Sequence, residues 1–239
     1  MKLFSICRVT LISIIFINLG LVGCGQFLVN NPSSSEINSY QLTNITEQEI
    51  NYFEQIAFGN EFAENQQTQY IRKWTEDIRI KVIGSPTQDD LQTLSQVIGE
   101  LNQLVDDIQI NIDSQNHNLE IYFVPENEFP QYEPNYVPGN LGFFFIWWNG
   151  NLEINRGKIL ISTNQITQTE RSHLIREELT QSLGLMNDAL TYPDSIFYQD
   201  WTEVNQFSEI DKTVIKMLYN SQIQTGMTKQ EVRGILLGS

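Results

Sequence analysis

The sequence predicts an α+β domain spanning residues 46–239. Two observations support this: apolar residues recur at helical intervals in three segments, and five shorter runs rich in Ile, Val, Phe and Trp are bounded by Gly, Pro or Asn. A third is their order, helix, strand, helix, then strands, then helices, which partly segregates the two kinds of element along the chain. A chain of 239 residues supports one sizeable core. Fourteen Lys and Arg against 29 Asp and Glu leave a net charge of −15, which argues against a nucleic-acid partner because neutralising phosphates needs clustered cations. His117 and His173 are the two histidines and Cys7 and Cys24 the two cysteines, too few for a three-histidine zinc site, a Cys-rich zinc knuckle or a disulfide framework.

The elements follow in order. Lys2 and Arg8 precede Val9 to Val22, an apolar run broken only by Thr10, Ser13 and Asn18 and shorter than the about 20 residues a bilayer crossing needs. Residues 1–23 therefore read as a signal peptide. Leu21-Val22-Gly23-Cys24 resembles the lipobox of bacterial lipoprotein precursors. That resemblance implies a Cys24 carrying diacylglyceryl and fatty acyl chains such as palmitate, and a protein held on a membrane of the cell envelope, facing the periplasm or the exterior. An ordinary secretory signal with a chance cysteine is the alternative. Residues 24–45, with Asn30-Asn31-Pro32-Ser33-Ser34-Ser35 at their centre, form the lipidated cysteine and a flexible tether.

Thr46 and Glu49 have capping-box spacing, and Ile50, Phe53, Ile56 and Ala57 continue a helix. Trp74 to Val82 alternates as one half-buried strand. Leu91, Leu94, Val97, Ile98, Leu101 and Leu104 line one face of a second helix, with Asp89 and Asp90 in its first turn. Strands are expected at 108–112, 119–124, 142–148 and 154–161, the last two joined by Asn149-Gly150-Asn151. Pro125 to Gly139, with four prolines, reads as a long ordered loop. A helix from about Thr169 to Leu183 stops at Gly184, and two short helices open at Ser208 with Asp211 and at Thr228 with Glu231. The run Phe143 to Trp148 reads as core, with a partner-binding edge as the alternative.

The chemistry concentrates in His173 to Asp188. Glu177 and Gln181 lie one helical turn apart with Glu178 beside them, the placement that H-E-x-x-H metallopeptidases use for two metal ligands and a general base. The letters here are E-E-x-x-Q; in the longer H-E-x-x-H-x-x-G-x-x-H pattern, Gly184 falls on the glycine and Asn187 on the third ligand. Ser195 to Tyr198 stands where metzincins carry their Met-turn, and Ser208 to Tyr219 looks like the matrixin closing helix. Together, E-E-L-T-Q-S-L-G-L-x-N-D, D-S-I-F, the S-x-x-D helix and Gly226-Met227 resemble a family of uncharacterised bacterial lipoproteins, a domain of unknown function related to metzincin-like zincins.

The resemblance implies a zincin-like (metzincin-like) fold: a twisted mixed sheet, a backing helix and an active-site helix beneath the edge strand. It implies Glu178 in the general base's position, with Glu177, Gln181 and Asn187 in the ligand positions. Oxygen donors there suit Ca²⁺, Mg²⁺ or Mn²⁺ better than zinc, so zinc is not expected and an oxygen-ligated divalent metal is an open alternative. The other readings are a satisfied polar network in the place of a lost metal, or metal-free catalysis. His173, one turn before Glu177, is a further candidate ligand. The functional expectation is a membrane-anchored domain that binds a peptide or protein, with hydrolysis of a peptide or amide bond through Glu178 as the alternative.

Overall fold

The computed structural model describes residues 45–59 and 70–238. The signal peptide, Cys24 and the tether through residue 44 lie outside the described residues. Helix α1 (Glu47–Phe58) opens with the capping box of Thr46 and Glu49. Then follow β1 (Lys73–Trp74), β2 (Ile78–Gly84), α2 (Gln88–Leu101), β3 (Ile110–Ile112) and β4 (Leu119–Val124). The long loop holds a 3₁₀ turn (Glu126–Glu128) and α3 (Phe129–Tyr132), and leads to β5 (Gly142–Trp148) and β6 (Glu153–Ser162). The chain ends with α4 (Gln168–Gln181), α5 (Glu209–Leu218) and α6 (Lys229–Leu237).

The described residues hold six strands rather than five, because the stretch read as one strand from Trp74 to Val82 divides. Lys73 and Trp74 pair with the start of β6, whereas Ile78 onward pairs with β3 and β4. Asp77 marks the break: its carboxylate accepts from the Gln109 amide at 2.8 Å and its carbonyl from Asn118 at 2.9 Å.

The sheet order is β1-β6-β4-β2-β3, all parallel, with β5 antiparallel to β6. Parallel neighbours need crossovers, and α2 supplies the one between β2 and β3. Trp74 and Trp148 both pair with Ile154, so β1 and β5 lie on opposite sides of β6. Strand β5 is therefore an edge, with a neighbour on one side only among the described residues.

The main core joins Ile80, Ile121, Phe123, Ile159 and Phe144 of the sheet to Leu94 and Val97 of α2 and Leu174, Ile175 and Leu179 of α4. On the opposite face the segment after β4 folds back, and Phe129 and Tyr136 enclose Val124, Phe143 and Leu160. Both faces of β5 are thus covered along its first half, which explains its unbroken apolar run. The cover ends toward its far end, where Trp148 is 42% exposed.

Candidate functional site

Helix α4 is polar yet almost wholly buried. His173, Arg176, Glu178, Thr180 and Gln181 are each at most 6% exposed. Buried polar groups must find partners. At its N-terminus, Thr167 and Glu170 form a capping box, and Arg171 donates through Nε to Asp90 Oδ1 of α2 at 2.7 Å. Gln168 Nε2 donates to the same oxygen at 2.7 Å, while Asp90 Oδ2 accepts the Thr87 amide at 2.7 Å. Arg176 pairs with Glu100 and stacks on Phe207, 4.4 Å from the ring centroid. A polar groove of about 250 Å³, lined by Asp89, Gln92, Thr93, Gln96, Ser172 and Asn205 among others, opens between α2 and the N-terminal half of α4.

His173 is held at both ring nitrogens. Nδ1 lies 2.6 Å from the Val204 carbonyl, which can only accept, so Nδ1 carries a proton; Nε2 lies 3.2 Å from Glu177 Oε2. Burial opposes charge on this ring, but the hydrogen bond and charge of Glu177 and the Val204 carbonyl outweigh it, and its pKa is raised. Stability from this pairing is full below the ordinary imidazole value of about 6.5 and is lost as pH rises through the raised folded value. His173→Gln should therefore cost most near pH 6 and progressively less toward pH 9, read as the melting-temperature difference from the parent. A difference that grows with pH would show that the ring is held neutral.

Glu178 packs beneath Gly142, the first residue of β5. A Cβ there would overlap Glu178 Oε1 and lie 2.8 Å from Leu174 Cδ2. The edge strand comes this close to the helix because residue 142 has no side chain.

The remaining sequence candidates take different partners. Gln181 donates through Nε2 to Asp188 Oδ1 at 2.7 Å. Asn187 turns to the end of α1, donating to the Gln55 carbonyl at 3.1 Å and the Asp188 carbonyl at 2.7 Å, with its amide against Gly59. His173 and Glu177 thus form one contact, Gln181 a second with Asp188, and Asn187 a third with α1. Among the described residues no three His, Cys, Asp or Glu side chains form a group able to hold a metal ion. His117 is partly exposed and 3.1 Å from Glu120.

The D-S-I-F turn and the S-x-x-D helix prove to be one network. The Tyr52 hydroxyl donates to Ser195 Oγ at 2.8 Å, and Ser195 donates to Asp211 Oδ1 at 2.5 Å. The other Asp211 oxygen accepts from the Ser208 amide and hydroxyl, each at 2.8 Å. Burial raises the Asp211 pKa although these hydrogen bonds favour its charge. Sequence reasoning had the Ser208–Asp211 spacing; it missed that the same carboxylate holds the Ser195 turn to α5, and it did not identify Asp188 as the partner of Gln181.

Fold and site define a mixed α/β domain in which a polar helix is buried below an edge strand. The family model described as "Protein of unknown function (DUF2927)" matches residues 46–237, and the chain belongs to that family. Among solved structures, "Structure of Myroilysin" is similar at 12% identity with a TM-score of 0.38, covering 62% of this chain and 82% of that one. "Crystal structure of myroilysin" is similar at 13% identity with a TM-score of 0.30, covering 79% of each chain. No curated protein matches.

Proposed function

We propose that this is an envelope lipoprotein, anchored through acylated Cys24, whose degenerate zincin-like domain binds an extended peptide or protein segment along β5 without zinc-dependent cleavage. The observation that carries the reading is the edge strand: β5 has a pairing neighbour only in β6 among the described residues, and its first residue rests on Glu178. An open strand edge recognises extended chains through main-chain hydrogen bonds. The donor set in the metzincin ligand positions does not suit zinc. Glu177 is engaged by His173, the amide nitrogens of Gln181 and Asn187 are committed to oxygens, and neither ring nitrogen of His173 is left for a metal.

A second reading, hydrolysis with Glu178 as general base, is favoured by that carboxylate lying where the edge strand begins. One experiment separates them. The full chain in neutral detergent, incubated with a library of unstructured 12-residue peptides, is expected to protect the amides of residues 142–148 from hydrogen exchange while the peptides stay intact by mass. Fragments that disappear with Glu178→Gln would favour the hydrolase, and binding without protection of β5 would overturn the edge reading.

A further inference from the structure

The cations of this acid-rich chain are not evenly partnered. In the helices, Arg171, Arg176, Lys212, Lys229 and Arg233 each have a carboxylate partner. On the sheet, Arg79, Lys81, Arg156 and Lys158 have none within 4.0 Å among the described residues, although Asp and Glu outnumber Lys and Arg 29 to 14. Alternation puts all four on one face. Ile78, Ile80, Gly157 and Ile159 point to the helices, so residues 79, 81, 156 and 158 point away from them.

Register arranges these cations. Lys81, Glu120, Lys158 and Phe145 form one row across β2, β4, β6 and β5, and Arg156 pairs with Trp147 in the row below. Strand spacing and rise then set the four cations at the corners of a rectangle of about 7 by 10 Å at the backbone. Arg156 lies 3.9 Å from the Trp147 ring centroid, and Phe145 packs 4.7 Å from the same indole. Glu120 is the one acid in these rows and is already engaged by His117 and the Tyr122 hydroxyl. Asp113, in the turn after β3, also feels the charge of Arg79.

We infer that the part of this sheet face left uncovered by the segment after β4, opposite α4, docks an anionic polysaccharide. Charge complementarity selects an anion, because these cations have no carboxylate partner among the described residues in a chain whose net charge is negative; Arg79 donates only to the Asp77 and Asn116 carbonyls and Lys158 to the Tyr132 carbonyl, neutral groups that leave the positive charge uncompensated. The strands under the face are already paired side to side, so a peptide gains no main-chain hydrogen bonds there. Phe145 and Trp147 are half-buried and packed on one another, so they do not offer the exposed apolar surface that membrane docking requires. A polymer with acidic groups repeated on sugar rings uses both the cations and the ring edges. The site shares Phe145 and Trp147 of β5 with the edge proposed above, but its cations come from β2 and β6 and do not rest on that reading.

The test uses the full chain in neutral detergent on immobilised polygalacturonate at about 50 mM salt. Retention is expected there, with release at about 300 mM because the contacts are ionic. Lys81→Gln with Arg156→Gln should weaken binding about tenfold, whereas Lys212→Gln with Lys229→Gln, which removes as much charge from paired positions, should leave it within about twofold. Both double variants should melt within a few degrees of the parent, since substitutions outside the core seldom change stability much. Equal loss in both double variants, no retention of the parent, or preference for phosphatidylglycerol vesicles over polygalacturonate would overturn the assignment.

Discussion

Asp90→Ala should cost about 4 kcal/mol of stability, because removing one partner of a buried ion pair leaves the other charge uncompensated and a helix cap is lost as well. The Asp90 side chain is fully buried at the N-terminal ends of both α2 and α4, where its two oxygens take the Thr87 amide, Gln168 Nε2 and Arg171 Nε. For a domain of this size the melting temperature should fall by about 8 to 16 °C. Burial acts to raise the Asp90 pKa, but the hydrogen bonds from Gln168, Thr87 and Arg171 prevail and hold it below the usual carboxylate value. Its contribution is therefore complete above the unfolded value of about 3.9 and disappears as pH falls through the depressed folded one. Chemical denaturation of parent and variant at pH 7, repeated in acid, checks both points. A loss under 1 kcal/mol at neutral pH, or a gap that widens below pH 4, would show that the two helices are held by their apolar faces alone.

Gly184→Ala should be of similar size, about 3 to 5 kcal/mol, through two causes acting together. Gly184 has φ +120, which a residue with a Cβ rarely adopts, and an added Cβ would overlap the Arg72 carbonyl of the incoming chain. That carbonyl is backbone and cannot rotate away as a side chain would. Around this point the carbonyls that follow the buried end of α4 are satisfied from elsewhere: the Trp74 indole donates to the Ser182 carbonyl at 2.9 Å and the Tyr219 hydroxyl to the Leu183 carbonyl at 3.2 Å. A shift here would disturb both bonds and the register of β1 on β6. Gly139→Ala is the control, with φ +99 but open space about its Cβ, and should lose only the about 1 to 3 kcal/mol of backbone strain. Equal losses at the two glycines would mean that the close approach to Arg72 contributes nothing.

Elements whose signals are local could be read from the sequence. Strands β4 and β5 match the expected 119–124 and 142–148, and the boxes at Thr46, Ser208 and Thr228 open the helices where their spacing indicates. The break between β1 and β2 was only weakly legible: Thr75-Glu76-Asp77 interrupts the apolar positions, but Trp74 keeps the parity of Ile78, Ile80 and Val82, and only the choice of pairing neighbour ends one strand and starts the next. Likewise the apolar run of β5 could not say which rings were covered. Phe143 and Phe144 are enclosed by segments on opposite faces, while Trp148 is left at the surface.

The site divides in the same way. Helical periodicity alone put His173, Glu177, Glu178 and Gln181 within two turns of one another, since neighbours on a helix are set by covalent spacing. Partners beyond the helix were decided only by tertiary structure: Val204 at His173, Gln55 at Asn187 and Gly142 over Glu178 from far along the chain, and Asp188 at Gln181 from just past the turn at Gly184. Sequence specifies which donors and acceptors a helix carries, but a hydrogen bond needs about 3 Å and a direction. Those are properties of how α4 is packed among its neighbours, and no spacing along the chain encodes them.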